Sequence, residues 1–298
     1  MQSIARVVQK ARNFPEWIMT RPDLYAYYML LVIRNMVMGW PGGSIVFLPE
    51  APKRAYAIWK ICQSLGVRPS RRFDEGTKLA VVWQDRTFRT GLPETFARLP
   101  VEFRVLNRDC PDISKTRVGK VFESVFKRSL TIDPKAYSGP CVEKSNGNGT
   151  HNGRVVCCPV EAVNAESFYQ RLIDNQVELD GRPMVLDYRA VICGTRIPLV
   201  YKKYRPVTDR FSNTNSTTEC AVVENCFSEH ERAGILAFAR EFGVDYAEID
   251  VLRDRLDGQI YIVDVNYTPS GPPNHLPTRQ GIWAIRKIAS VFAEEFRV

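Results

Sequence analysis

Apolar residues recur along this chain with two periods, and the alternation between them predicts most of its elements. Ile4, Val7, Val8 and Ala11 fall at helical spacing, and the segment from Tyr25 to Met38 is apolar over several turns, so the chain is expected to open with helices. Pro41-Gly42-Gly43 ends that pattern. Ser44 to Leu48 is a short β-branched and apolar run, and a helical pattern follows through Tyr56, Ile58, Trp59 and Ile61 as far as Gly66. Lys78 to Trp83 and Val101 to Leu106 fit further strands. Strands alternating with helices over about residues 40 to 110 predict a small α/β lobe.

A helix is expected from about Ser114 to Lys127, with Ser114 or Asp112 as its cap. Residues 139 to 160 then predict a hairpin: one strand ending near Lys144, a Gly/Asn-rich tip, and a second strand starting near Arg154. Residues 166 to 175 read as helical. Val185 to Cys193 and Ile197 to Lys203 read as strands joined at Gly194-Thr195, and Ser228 to Phe242 as an amphipathic helix stopped by Gly243. Tyr246 to Arg253 and Gln259 to Asn266 flank Asp257-Gly258, the strongest short-range hairpin signal in the chain. The last helix is expected over about Gly281 to Phe296.

Composition fits a soluble globular chain of 298 residues, 45% hydrophobic and 25% charged, which excludes disordered and fibrous classes. The longest apolar run, Ala26 to Ile33, is far short of the roughly 20 residues a membrane helix needs. The first residues lack the layout of an export signal. The eight cysteines form no C-x-x-C pair and several sit in apolar runs, such as Cys193 in AVICG. These features predict a cytoplasmic protein with reduced, structural cysteines and no membrane partner.

The net charge of +8 is uneven. Residues 1 to 130 carry 22 Lys and Arg against 11 Asp and Glu; the remainder carries 19 against 22. The basic residues stand singly or in pairs without interleaved aromatics, which argues against nucleic acid and for small anionic ligands.

Three constellations carry chemistry. Asp250 lies on the first strand of the Asp257-Gly258 hairpin, and Asp264 and Asn266 sit two apart on the second, so the pair share a face and antiparallel pairing brings Asp250 opposite them. Two carboxylates and an amide oxygen make a hard-oxygen set suited to Mg²⁺; the same residues also suit the start of the Thr268-Pro269-Ser270-Gly271 turn. The Gly147-Asn148-Gly149-Thr150 tip beside Lys144 allows close backbone approach to phosphate, or is a solvated turn, and it has neither Walker nor G-x-G-x-x-G spacing. His151 reads as a loop residue. Asp187-Tyr188-Arg189, Lys202 to Arg205 and Asp209 to Asn213 supply cations at strand ends that could steady a transferring phosphoryl group or form a solvated basic face.

In this order the parts resemble the ATP-grasp superfamily over about residues 112 to 275. The resemblance is strongest from LDYRAVICG through KKYRPVTDRFSN to DYAEIDVLRDRLDGQIYIVDVNYTPSGPP, which looks like the C-terminal half of the glutathione synthetase and ribosomal-protein glutamate ligase branch. It implies an α/β (α+β) ATP-grasp fold. In it a pre-ATP-grasp lobe spans residues 1–110, a first subdomain with the flexible Gly-rich hairpin 111–180, and a second with the Mg²⁺ site 181–298.

By that resemblance Lys115 and Lys144 contact ATP phosphates, with Gly147 and Gly149 in the covering loop. Gln170, Arg171, Leu172 and Ile173 match the hinge that reads adenine, and Asp174 a ribose contact. Arg189, Lys203 and Asn213 match positions that hold phosphates or an acyl phosphate, and Asp250, Asp264 and Asn266 match the Mg²⁺ ligands. Asp264 stands where the family's E-x-N motif has glutamate, and Arg171 where an acidic residue is common. The implied activity is ADP-forming carboxylate–amine ligation with ATP and Mg²⁺, acting on small-molecule carboxylate and amine substrates. A kinase built on the same nucleotide site and a non-catalytic nucleotide-binding protein stay open, as do the substrates and the oligomeric state.

Overall fold

The computed structural model describes residues 21–150, 152–212 and 216–298. The helix expected around Ile4 to Ala11 lies outside these residues, as does His151. The described chain opens with helix α1 (Pro22–Val37), which starts on a proline whose fixed φ suits the first turn. Strand β1 (Ser44–Pro49), helix α2 (Ala57–Leu65), β2 (Arg68–Ser70), β3 (Thr77–Trp83) and the two-residue β4 (Val105–Leu106) follow. They form a parallel sheet in the order β2-β1-β3-β4. Its two central strands are buried over continuous runs, Ser44–Phe47 and Leu79–Trp83, as a sheet covered on both faces requires. Gly66 ends α2 at φ +70°, a left-handed cap. The strand expected from Val101 shrinks to Val105–Leu106, and Val101 itself is solvent-exposed.

Helix α3 (Lys115–Phe126) begins at Ser114, whose side chain accepts from the Arg117 N–H. Strands β5 (Gly139–Ser145), β6 (Arg154–Cys158) and β7 (Ser167–Arg171) form an antiparallel sheet in the order β6-β5-β7, with the Gly/Asn tip between β5 and β6. Strand β7 corrects the helical reading of residues 166–175. Its buried residues Phe168, Tyr169 and Gln170 are consecutive, so neither period distinguishes the two states. The open edge of β5 decides, pairing Cys141–Ser145 with Ser167–Arg171.

The largest sheet holds β8 (Gln176–Leu179), β9 (Arg182–Cys193), β10 (Val200–Pro206), β11 (Thr217–Ala221), β12 (Tyr246–Arg253) and β13 (Ile260–Asn266). Its order is β11-β10-β9-β12-β13, with β8 on the free part of β9. Helix α4 (Glu229–Phe242) enters through a Ser228–Glu231 capping box and ends at Gly243, φ +83°. Helix α5 (Thr278–Phe296) begins three residues before the expected Gly281, directly after Pro277.

The two faces of the large sheet have different fates. Ala190, Ile192, Val200, Ala247, Ile249 and Val251 pack with Val118 and Phe122 of α3 and Ile235, Phe238 and Phe242 of α4. The alternate residues Val191, Cys193, Tyr201 and Tyr246 join a second core with Ile285 and Phe292 of α5, Ile58 and Ile61 of α2, and Phe47 and Trp83 of the parallel sheet. Further along that same face the side chains become charged. Among the described residues no helix is long and apolar enough to cross a membrane, and all eight cysteines are free.

Candidate active site

Strand alternation carries the second core into a polar site without any change of backbone. On β9, Asp187 and Arg189 continue the face of Val191; on β12, Glu248 and Asp250 continue that of Tyr246; on β10, Lys203 continues that of Tyr201. Register places Arg189 beside Asp250, Asp250 beside Asp264, and Glu248 beside Asn266. The cross-strand meeting of Asp250 and Asp264 is the one expected from the Asp257-Gly258 hairpin.

Arg189 grips Asp250 with two hydrogen bonds, Nε to Oδ1 at 2.7 Å and Nη2 to Oδ2 at 2.9 Å, and reaches Glu248 Oε2 at 3.4 Å. Burial alone would raise the Asp250 carboxyl, but Arg189 and Lys203 outweigh it and hold Asp250 well below the usual carboxylate range. Glu248, more deeply buried, is pushed up to about 7 by burial, with Arg189 opposing. Lys203 is lowered by burial and by the neighbouring Arg189. Arg205 pairs with Asp187, which also accepts from Asn175 Nδ2 at 3.0 Å.

The three-stranded sheet supplies the facing wall. Lys144 lies opposite Phe168, and Val142 opposite Gln170, so Lys144 and Gln170 share a face. Lys144 Nζ donates to the Val263 carbonyl at 3.4 Å. Lys115, at the start of α3, donates to Asp264 Oδ1 at 2.5 Å and to Asn148 Oδ1 at 3.4 Å. Burial, aided by the charge of Lys115, brings Lys144 down to about 7.

Between these walls is a cavity of about 570 Å³, within the range of small-molecule sites. It brings together Lys115, Lys144, Gly147, Gly149, Arg189, Lys203, Asp250, Asp264 and Asn266. Arg205, Arg210, Asp85, Tyr56 and Thr268 also line it. Six cations against three carboxylates make an anion seat. Asn213 lies outside the described residues.

The five hinge residues are not in this lining. Gln170 is buried, and its Oε1 has no hydrogen-bond partner among the described residues. Arg171 donates to Asp254 and Tyr261, and Asp174 accepts from Arg255. Arg210 links hinge to cavity, donating to the Ile173 carbonyl at 2.9 Å and to Asn175 Oδ1 at 3.0 Å. Gly153 closes the opposite corner, since a Cβ there would stand 2.8 Å from the Phe211 ring. Sequence reasoning missed Glu248, although its i−2 spacing from Asp250 was the available signal. It also missed Tyr56 and Asp85, for which no local signal exists.

Asp250, Asp264 and Asn266 supply hard oxygen donors from paired strands, the donor chemistry Mg²⁺ takes. Among the described residues no three His, Cys, Asp or Glu side chains converge as a metal cluster, so any such set depends on the Asn266 amide.

No family model matches the sequence, and no curated protein is similar to it in sequence. Among solved structures the chain is similar to D-alanine–D-alanine ligase from Bacillus anthracis complexed with ATP, at 15% identity over 86% of this chain and 96% of that one, TM-score 0.51. It is similar also to the ATP-grasp ligase PsnB complexed with a minimal precursor, Mg and ADP, at 12% identity over 85% and 96%, TM-score 0.50. In another PsnB complex with minimal precursor, at 14% identity, the chain matches over 62% of its own length and spans 64% of that protein, TM-score 0.40. The likeness to the first two of these structures extends over 85–86% of this chain and its three sheets: this chain has the ATP-grasp fold.

Proposed function

We infer that the protein is an ATP-dependent ligase that joins a carboxylate to an amine through an acyl phosphate. The observation that carries this reading is the convergence of Lys115, Lys144, Arg189 and Lys203 with Asp250, Asp264 and Asn266 in one cavity that Gly147, Gly149 and Gly153 also line. The cations suit the phosphates of ATP. Asp250, Asp264 and Asn266 would hold Mg²⁺, which would neutralise phosphate charge. In this reading residues 111–180 and 181–298 clasp the nucleotide and the preceding lobe presents a substrate.

In the first step a substrate carboxylate oxygen bonds to the γ-phosphorus, the bond from that phosphorus to the β-bridging oxygen breaks, and ADP leaves. An amine then attacks the acyl carbon, phosphate leaves, and the amine gives up a proton to yield the amide. Such chemistry rests on positioning and charge stabilisation, which Arg189 and Lys203 supply from rigid strands. The hairpin tip would keep water from the acyl phosphate.

The test is thermal unfolding with ATP, with and without Mg²⁺, beside an Asp264→Ala/Asn266→Ala variant. A ligand at 100 times its dissociation constant stabilises the fold by about 2.7 kcal/mol. Mg-ATP should raise the melting temperature of the wild type and do so much less for the variant. A folded wild type that ignores Mg-ATP refutes the reading. Hydroxylamine trapping across a panel of carboxylates then separates acyl-phosphate formation from kinase activity.

A further inference from the structure

The parallel sheet supplies one wall of the cavity. In the order β2-β1-β3-β4 the chain leaves β1 toward one side and β3 toward the other, and open parallel sheets bind ligands beyond the carboxyl ends of the strands at such a switch point. Tyr56, at the end of the loop following β1, and Asp85, in the loop following β3, meet there: the Tyr56 hydroxyl donates to Asp85 Oδ2 at 2.7 Å. Thr268, just past the Asn266 end of β13, donates to Asp85 Oδ1 at 2.9 Å. All three line the cavity already described.

The crevice is braced from behind. Lys60 of α2 is buried and donates to the Ala55 and Gly271 carbonyls at 2.9 and 2.6 Å, tying together the segments that carry Tyr56 and Ser270. Asp85 itself is exposed and forms no ion pair among the described residues. Two hydroxyl donors use about half of a carboxylate's acceptor capacity. Burial raises the Tyr56 phenol, as do the Asp85 and Glu50 carboxylates, so it remains a donor to Asp85. The cavity is therefore polarised: five of its six cations come from α3 and the other two sheets and the sixth, Arg210, from the turn after β10, and its wall from the parallel sheet carries a carboxylate.

We propose that Asp85, oriented by Tyr56 and Thr268, is the subsite for a cationic amine, so that the substrate presents an ammonium group to the parallel-sheet lobe while its anionic partner lies against the cations. This rests on the ligase reading for the role of the amine, whose ammonium gives one proton to water before the neutral amine attacks; the subsite itself does not need bound nucleotide. Ethylammonium and glycinamide supply the cation, and propionate serves as the anionic control. Each is titrated into wild type, Asp85→Asn and Asp85→Glu, with and without Mg-AMP-PNP, and followed by thermal shift and calorimetry.

The two cations should bind the wild type, at least tenfold more weakly to D85N, and within a few-fold of wild type to D85E; propionate should lose nothing in D85N. Equal binding of the cations to wild type and D85N overturns the proposal, as does a wild type that binds neither cation. If D85N does not fold, the wild type still decides, since failure of both ethylammonium and glycinamide to bind it overturns the proposal. Failure of Mg-AMP-PNP to shift any of the proteins counts against the nucleotide reading alone, because the cations are also titrated without it.

Discussion

Lys144 makes the electrostatics of the cavity measurable. Burial, with the charge of Lys115 nearby, lowers its ammonium from 10.5 to about 7. The free site therefore loses that proton as pH rises through about 7, whereas a site filled by phosphates holds it. Nucleotide binding above that pH must take up a proton and weaken as pH rises. At pH 8.5 a lysine of pKa near 7 is about 3% charged, and restoring its proton costs about 2 kcal/mol. Between pH 7.5 and 8.5 the affinity should fall about eightfold from this residue alone. Calorimetric titration of Mg-AMP-PNP in two buffers of different ionisation enthalpy reads the proton directly. Wild type at pH 8.5 should take up about one proton more than Lys144→Met. Lys203, also lowered, contributes to both proteins and cancels in the comparison. Equal proton uptake in the two proteins, or an affinity indifferent to pH in the wild type, would refute the argument.

Two stability predictions follow from particular contacts. Arg189→Met strips the guanidinium from Asp250 and Glu248, whose side chains are 15% and 2% exposed, and should cost about 3–5 kcal/mol in urea unfolding; a loss under about 1 kcal/mol would show that the charge network is not a buried one. Gly243→Ala puts a Cβ 2.6 Å from the Asp109 carbonyl at a residue held at φ +83°. It should destabilise by at least about 1 kcal/mol by the same measurement, and a neutral effect would contradict the left-handed cap.

The legible parts of this molecule are those set by neighbours in sequence. Helix α4 was readable because the Ser228–Glu231 box and Gly243 are local devices, and the β12–β13 hairpin because Asp257-Gly258 lies between two apolar runs. Strand β7 was not readable, since its state is decided by the edge of β5 more than twenty residues away. The cavity divides along the same line. Asp250, Asp264 and Asn266 sit on one hairpin and could be paired on paper. Tyr56, Asp85 and Thr268 belong to three segments that only the packing of α2, α5 and the parallel sheet brings together.

Even within the hairpin the paper pairing omits one step. Ile262 pairs with Val251, and Asp264 pairs with Asp250, so Val263 is an extra residue on its strand. In a regular strand Ile262, Asp264 and Asn266 would all point to one face, because side chains alternate with period two. The bulge reverses the alternation between Ile262 and Asp264. Ile260 and Ile262 stay in the core against α3 and α4, Val265 joins them, and Asp264 and Asn266 turn to the cavity. The carbonyl at the bulge is the one that accepts from Lys144. A single inserted residue thus lets one short strand finish the apolar core and carry two of the oxygen donors opposite Asp250, while drawing the facing lysine to the same place.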